Sequence, residues 1–211
     1  MTPMSTSKGA FISFEGIDCC GKSTQVKMLD RYLKKNGNKT LLVREPGGTI
    51  ISEEIRNILL HRPEENISDR TEALLMTGSR SQLTFEKIIP SINMGINVIA
   101  DRFLDSTLAY QGGGRELDLN WLIELNKFAT FNTLPNVTIF IDITSELGAE
   151  RNNSEGDRIE NAGIDFQSRV RDTYIKLSQI FKDRYVTIDG EMDIQTIHNK
   201  IISTLMKRNL I

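Results

Sequence analysis

Gly16-Ile17-Asp18-Cys19-Cys20-Gly21-Lys22-Ser23-Thr24 lies between an apolar run, Ala10-Phe11-Ile12-Ser13-Phe14, and a helix-period segment carrying Val26, Leu29 and Leu33. A buried strand, a glycine-bounded loop ending in Gly-Lys-Ser and then a helix is the context that a phosphate-binding loop requires. Gly16 and Gly21 let the backbone turn sharply and come close to an anion. The loop's N–H groups then converge on a phosphate, and the positive end of the helix dipole points at it. In such a loop Lys22 reaches the β- and γ-phosphates, and the Ser23 hydroxyl ligates Mg²⁺. The stretch predicts a nucleoside triphosphate site formed by Gly16, Ile17, Asp18, Cys19, Cys20, Gly21, Lys22, Ser23 and Thr24.

Working outward, apolar strands alternate with helix-period segments. Thr40-Leu41-Leu42-Val43 reads as a second buried strand and ends in the turn-rich, charged Arg44-Glu45-Pro46-Gly47-Gly48-Thr49. Ile51, Ile55 and Leu59 mark one helix face, and Ala73, Leu74, Met76 and Leu83 lie on a longer helix. Asn97-Val98-Ile99-Ala100 is a third strand running out at Asp101-Arg102, and Gly112-Gly113-Gly114 reads as a flexible break. Trp121, Leu122, Leu125 and Phe128 predict an amphipathic helix, and Val137 to Ile141 a fourth strand. Phe166, Val170, Tyr174, Leu177 and Phe181 line a long helix; Tyr185 to Ile188 is a fifth strand; Ile194, Ile197, Ile201 and Leu205 face a closing helix. Alternation of this kind predicts a P-loop NTPase-type three-layer α/β/α fold: a five-stranded parallel sheet covered by helices on both faces. With no repeat or linker in view, residues 1–211 are expected to form one domain, in which Asn152 to Gly156 reads as polar and mobile-looking.

Composition narrows the function classes. The 211 residues carry 26 Lys and Arg against 28 Asp and Glu, a formal charge of -2. That near-balance gives no reason to expect a nucleic-acid or membrane surface. No apolar run approaches the roughly 20 residues that span a bilayer. The apolar stretch after Met1–Lys8 runs straight into the phosphate loop, as a core strand does and a signal peptide does not. The two cysteines are the adjacent Cys19 and Cys20, which offer neither a disulfide framework nor zinc spacing, so a reduced cytoplasmic protein is expected. His61 and His198 are read as surface residues, and nothing supports Ser–His catalysis.

Asp101, at the end of the third strand, is placed to position Mg²⁺ directly or through its water. Arg102 has the planar fork suited to clamping a phosphate, although the two are also read as a strand-end ion pair. Arg44 and Arg56 are similar phosphate-binding candidates.

Arg44-Glu45-Pro46-Gly47-Gly48-Thr49, then Asp101-Arg102-Phe103 with Ser106 and Ala109-Tyr110-Gln111-Gly112, then Asp157-Arg158-Ile159-Glu160 together resemble the thymidylate kinase family. The likeness runs from about Phe11 to the last helix, in order. It implies transfer of the ATP γ-phosphate to dTMP, with Mg²⁺, in dTTP synthesis, usually by a homodimer. It further implies that Asp18 contacts the acceptor's 3′-OH, and that Arg44 and Arg102 hold its phosphate. By the same likeness Arg80 donates to thymine O4, Ser106, Thr107 and Gln111 lie in the segment reading the pyrimidine, and Tyr110 packs where a 2′-OH would sit. The resemblance also implies a flexible lid, about residues 150–161, that closes over ATP and is flanked by Arg151 and Arg158. Two positions depart from the family pattern. Met76 stands near where an aromatic residue commonly stacks on thymine, and Cys19 occupies the phosphate-loop position that often carries a catalytic arginine. Arg151 is the expected substitute for that arginine, giving a catalytic set of Lys22, Arg102 and Arg151.

Two rival readings remain. One is a kinase of the same fold acting on another nucleoside monophosphate or a deoxynucleoside. The other is a nucleotide-dependent switch, disfavoured because neither Asn126-Lys127-Phe128-Ala129 nor Asn199-Lys200-Ile201-Ile202 supplies the Asp of a guanine-reading motif.

Overall fold

A computed structural model describes residues 8–61, 66–152, 159 and 162–211. Five parallel strands, β1 (Phe11–Glu15), β2 (Thr40–Arg44), β3 (Asn97–Asp101), β4 (Val137–Asp142) and β5 (Tyr185–Asp189), form one sheet in the order β2-β3-β1-β4-β5. β1 sits centrally, with Phe14 opposite Asp101 on one side and Ile139 on the other. All five of its residues are buried, and so are Val137 to Ile141 of β4, whereas β2, expected to be buried, lies at the sheet edge and is buried only at Val43. Parallel strands covered on both faces read as continuous apolar runs for this reason.

The helices are α1 (Lys22–Lys35), α2 (Ile50–Leu60), α3 (Asp69–Leu83), α4 (Ile89–Asn93), α5 (Leu104–Thr107), α6 (Leu119–Ala129), α7 (Ser145–Arg151), α8 (Ile164–Ile180) and α9 (Ile194–Lys207). Their starts follow capping chemistry. Thr49 accepts from Ser52 N, Ser68 from Thr71 N, Asp118 from Trp121 N, Thr144 from Leu147 N and Asp193 from two backbone N–H groups. α1 is different: its cap is Gly21, at φ 96°, with no side-chain cap. The sheet order reverses beside β1, so the loops after β1 and β3 open onto one crevice at the strands' C-terminal ends.

Several expectations change. Gly112-Gly113-Gly114 is no flexible break: Leu108–Gly114 is a π-helical continuation of α5. Its glycines permit close approach of α8, because a Cβ on Gly113 would lie 2.1 Å from Thr173 Oγ1 and one on Gly114 2.4 Å from the Phe166 ring. α3 likewise runs through a π-helical stretch, Thr84–Ile88, into α4. The inward face of α6 is Leu122, Asn126 and Ala129, while Trp121 and Phe128 are exposed. On α2 the buried residues are Ser52, Leu59 and Leu60, and Ile51 faces out. Ile194 is exposed, whereas His198 is buried against the Tyr32 ring, and burial lowers its pKa.

Candidate active site

The loop after β1 carries the strongest sequence signal, and its geometry suits an anion. Gly16 (φ 142°), Cys19 (φ 60°) and Gly21 (φ 96°) all have positive φ, which curls the loop over the start of α1. With no side-chain cap, the first N–H groups of α1 remain for a ligand. Lys22 Nζ folds back onto the carbonyl oxygens of Ile17 (2.8 Å) and Gly16 (3.1 Å). Ser23 Oγ donates to Asp101 Oδ2 at 2.5 Å, so the hydroxyl and the carboxylate expected at a metal share one spot. Cys19 is exposed, Cys20 is buried beneath the loop, and neither is in a disulfide.

Arg102 is not paired with Asp101. At φ 72° its backbone turns the side chain back across the sheet edge. There the guanidinium donates to Gly16 O (2.8 Å), Asp18 Oδ1 (2.5 Å) and the Tyr110 hydroxyl (2.9 Å), and lies 4.9 Å from the Tyr110 ring centre. Burial opposes ionisation of Asp18, but the charges of Arg102 and Lys22 outweigh it and hold the carboxyl below its ordinary value. Tyr110, its phenol pKa raised by burial, stays protonated and donates to Asp18 Oδ2 at 2.8 Å.

Beneath this cluster lies a residue that sequence reading passed over. Glu15, at the end of β1, is fully buried. Its carboxylate accepts from Phe103 N (2.8 Å), Ser106 Oγ (2.6 Å) and the Tyr174 hydroxyl (2.8 Å). Burial and the nearby charge of Asp105 push its pKa up to about 7, against the pull of those hydrogen bonds and Arg102. Asp105 is itself paired with Arg184, the residue before β5. A carboxylate closing an otherwise apolar strand was the available signal.

Two cavities meet at Asp18, Glu45, Arg56 and Arg102. The first, with a cavity volume of about 120 Å³, is also lined by Pro46, Leu60, Met76, Arg80, Ser106, Thr107, Tyr110, Gln111 and Ile159. The second adds Cys19, Gly21, Lys22, Ser23, Thr24, Arg44, Asp101 and Arg151. Five cationic side chains, Lys22, Arg44, Arg56, Arg102 and Arg151, thus converge on one space against three carboxylates. Arg44 and Arg56 both donate to Pro46 O, at 3.0 and 2.8 Å, and Arg44 also pairs with Glu53. Arg151 donates to Gly190 O at 3.3 and 3.4 Å, which holds it against the β5–α9 turn. Met76 is half-buried and packs against the core while forming cavity wall.

Arg80 is almost wholly buried, and its N–H groups are engaged by protein. Nε donates to Glu45, Nη1 to Thr107 Oγ1 (2.7 Å) and Asn126 Oδ1 (2.6 Å), and Nη2 to Phe103 O, with Glu45 again in contact. Direct donation from Arg80 to a base carbonyl would displace one of these partners. The inward Asn126 on α6 is explained by this network. Arg158 and most of the lid lie outside the described residues. Leu60 and Gln167, which donates to Asp18 at 3.2 Å, join the site without any sequence motif to mark them, whereas Pro46 and Ile159 fall within the motifs already quoted.

Comparison with known proteins covers nearly the whole chain. A family model described as "Thymidylate kinase" matches residues 14–201. A protein named thymidylate kinase from Thermoanaerobacter sp. (strain X514) is 48% identical over 201 residues, spanning 95% of this chain and 98% of the relative. Another of that name, from Caldanaerobacter subterraneus subsp. tengcongensis, is 44% identical over 199 residues, spanning 94% and 95% respectively. One from Geobacillus sp. (strain WCH70) is 40% identical over 203 residues, spanning 94% and 97%.

Proposed function

The chain belongs to the thymidylate kinase family, and from that premise we propose that it phosphorylates dTMP to dTDP with the γ-phosphate of ATP, in dTTP synthesis. The observation that carries the reading is the convergence of Lys22 and four arginines between the phosphate loop and the adjoining pocket. Two highly charged anions must meet there. An acceptor phosphate oxygen attacks Pγ, a new P–O bond forms, the β,γ-bridging bond breaks, and its electron pair leaves with ADP. The attacking oxygen is already ionised, so no general base is needed. Charge neutralisation and positioning supply the rate.

The ATP phosphates are assigned to the loop Gly16–Thr24, with Lys22 along the β- and γ-phosphates. The pairing of Ser23 with Asp101 at 2.5 Å supports a Mg²⁺ site there. Among the described residues no cluster of three or more metal-ligating side chains exists, which suits an ion held chiefly by phosphates and water. When bound, Mg²⁺ supplies positive charge to the transferring phosphoryl group. Asp18, Arg44, Arg56, Met76, Arg80, Arg102, Ser106, Thr107, Tyr110 and Gln111 are assigned to dTMP. Arg102 takes its phosphate, Tyr110 crowds the 2′ position of its sugar, and Arg151 closes over the transferring phosphate.

The same reading makes the protein a cytoplasmic homodimer. No described helix is long and apolar enough to cross a membrane. Phe85, Phe128, Phe131 and Leu134 are each more than half exposed, and the Phe85 and Phe131 rings lie 6.1 Å apart, an apolar patch suited to a second copy. Sedimentation at a dimer's mass checks that assignment. The catalytic assignment is tested by ADP release with dTMP, dUMP, dCMP, dGMP and AMP as acceptors. Turnover with dTMP far above dCMP, dGMP and AMP is expected. Equal turnover with a purine monophosphate, or ADP release that ignores the acceptor, would refute it.

A further inference from the structure

The floor of the acceptor pocket carries two polar side chains whose hydrogen-bonding sense is fixed from behind. Gln111 Nε2 donates at 2.8 Å to Oε1 of Glu72, a carboxylate with no exposed surface. Arg115 donates to the same carboxylate, through Nε to Oε1 at 3.3 Å and Nη2 to Oε2 at 3.2 Å. A carboxylate held by a guanidinium is an acceptor only, so the amide nitrogen of Gln111 must turn toward it. The amide oxygen is left for the pocket that Gln111 lines, and among the described residues no donor reaches it. Thr107 is constrained in the opposite sense. Its Oγ1 accepts from Arg80, a group that only donates, and its hydroxyl proton finds no acceptor among the described residues.

Resting on the dTMP kinase reading, we propose that Glu72 is a positioning residue for base selection: it holds the Gln111 carbonyl toward the acceptor base, beside a Thr107 hydroxyl held as donor by Arg80. Donor next to acceptor complements the O4 and N3–H edge shared by thymine and uracil. Cytosine presents N4–H₂ and a bare N3, the reverse pattern, and leaves the Gln111 carbonyl facing a lone pair. A buried polar group without its partner is costly, so selection acts largely through rejection of the wrong base.

Glu72→Gln reverses one element of the arrangement at nearly constant volume. Arg115 draws the new amide's oxygen, leaving its nitrogen toward Gln111, which then turns its own nitrogen into the pocket. In Glu72→Gln the ratio of kcat/KM for dTMP to that for dCMP falls about tenfold or more. The change appears in the acceptor KM, with the KM for ATP unchanged, and dUMP moves with dTMP because the two share the edge. Glu72→Asp, still an acceptor, keeps a preference for dTMP. A merely structural role for Glu72 would lower all acceptors together and leave the ratio unchanged, and that result overturns the inference. Should Glu72→Gln fail to fold, Gln111→Met removes the carbonyl directly and must also lower the ratio; a ratio within twofold of wild type there overturns it equally. A wild-type enzyme that does not turn over dTMP would instead refute the reading on which the inference rests.

Discussion

Replacing Arg102 with Ala removes the group on which the acceptor side of the site turns. Its guanidinium bonds Gly16 O, Asp18 and the Tyr110 hydroxyl, with weaker contacts to Ser106 (3.3 Å) and the Tyr174 hydroxyl (3.4 Å). Two costs separate. For function, a charge-assisted hydrogen bond to the dTMP phosphate is worth about 1.5–3 kcal/mol, or roughly 10- to 150-fold in affinity. For stability, the variant strands the Asp18 carboxylate, which Arg102 helps keep ionised. Breaking a buried pair costs about 3–5 kcal/mol. These side chains retain 16% and 22% exposure and the substitution admits water, so about 2–3 kcal/mol is expected here. In a chain of this size that lowers the Tm by about 4–12 °C. Calorimetric titration separates the costs: dTMP affinity falls in that range while ATP affinity, measured without acceptor, holds within about twofold. Because Arg102 also bonds the phosphate loop at Gly16 O, equal loss of ATP affinity would show that it braces the donor loop, and would refute the acceptor assignment.

Three further outcomes follow from the site. Met76→Ala weakens dTMP binding, and Met76→Phe preserves or improves it by about 0.5–1.5 kcal/mol, since an aromatic face stacks better than a thioether; a Phe variant with lower Tm and unchanged affinity would mean that Met76 serves the core. Arg151→Ala lowers kcat about 10²-fold and Cys19→Arg, facing the same cavity, restores part of it; a rise in the KM for ATP with kcat unchanged would mean that Arg151, as its bond to Gly190 O allows, only shapes the nucleotide's surroundings. Glu15 gives a pH signature. Its pKa in the folded protein, about 7, lies above its ordinary 4.5, so the folded state holds a proton that the unfolded chain releases between those values. Stability contributed by that proton is complete below pH 4.5 and lost as pH rises through 7. Glu15→Gln lacks this loss, so urea unfolding should show the variant gaining about 3 kcal/mol on wild type between pH 4.5 and 8; parallel pH profiles would contradict it.

What the sequence made legible was what local pattern encodes. The phosphate loop declared itself through glycine spacing and flanking elements, and the buried strands through apolar runs. What escaped depended on contacts across the fold. Gly112 to Gly114 read as a break because glycine lowers helix propensity, yet here small size is required by the approach of α8. The face of α6 was misread because Asn126 is drawn inward to Arg80, 46 residues away in the chain. Glu15, Glu72 and Gln167 carry no motif. Their importance comes from the side chains stacked above them.

The central claim, that the pocket beside the phosphate loop takes dTMP and offers its phosphate to the bound triphosphate, is tested most directly by a crystal structure with dTMP and a non-hydrolysable ATP analogue. The account predicts thymine over the Met76 wall with its O4 and N3 toward Thr107 and Gln111. It further predicts the acceptor phosphate within hydrogen-bond reach of Arg102 and the analogue's phosphates within the Gly16–Thr24 loop. A dTMP base seated elsewhere, or its phosphate lodged in that loop, would contradict it.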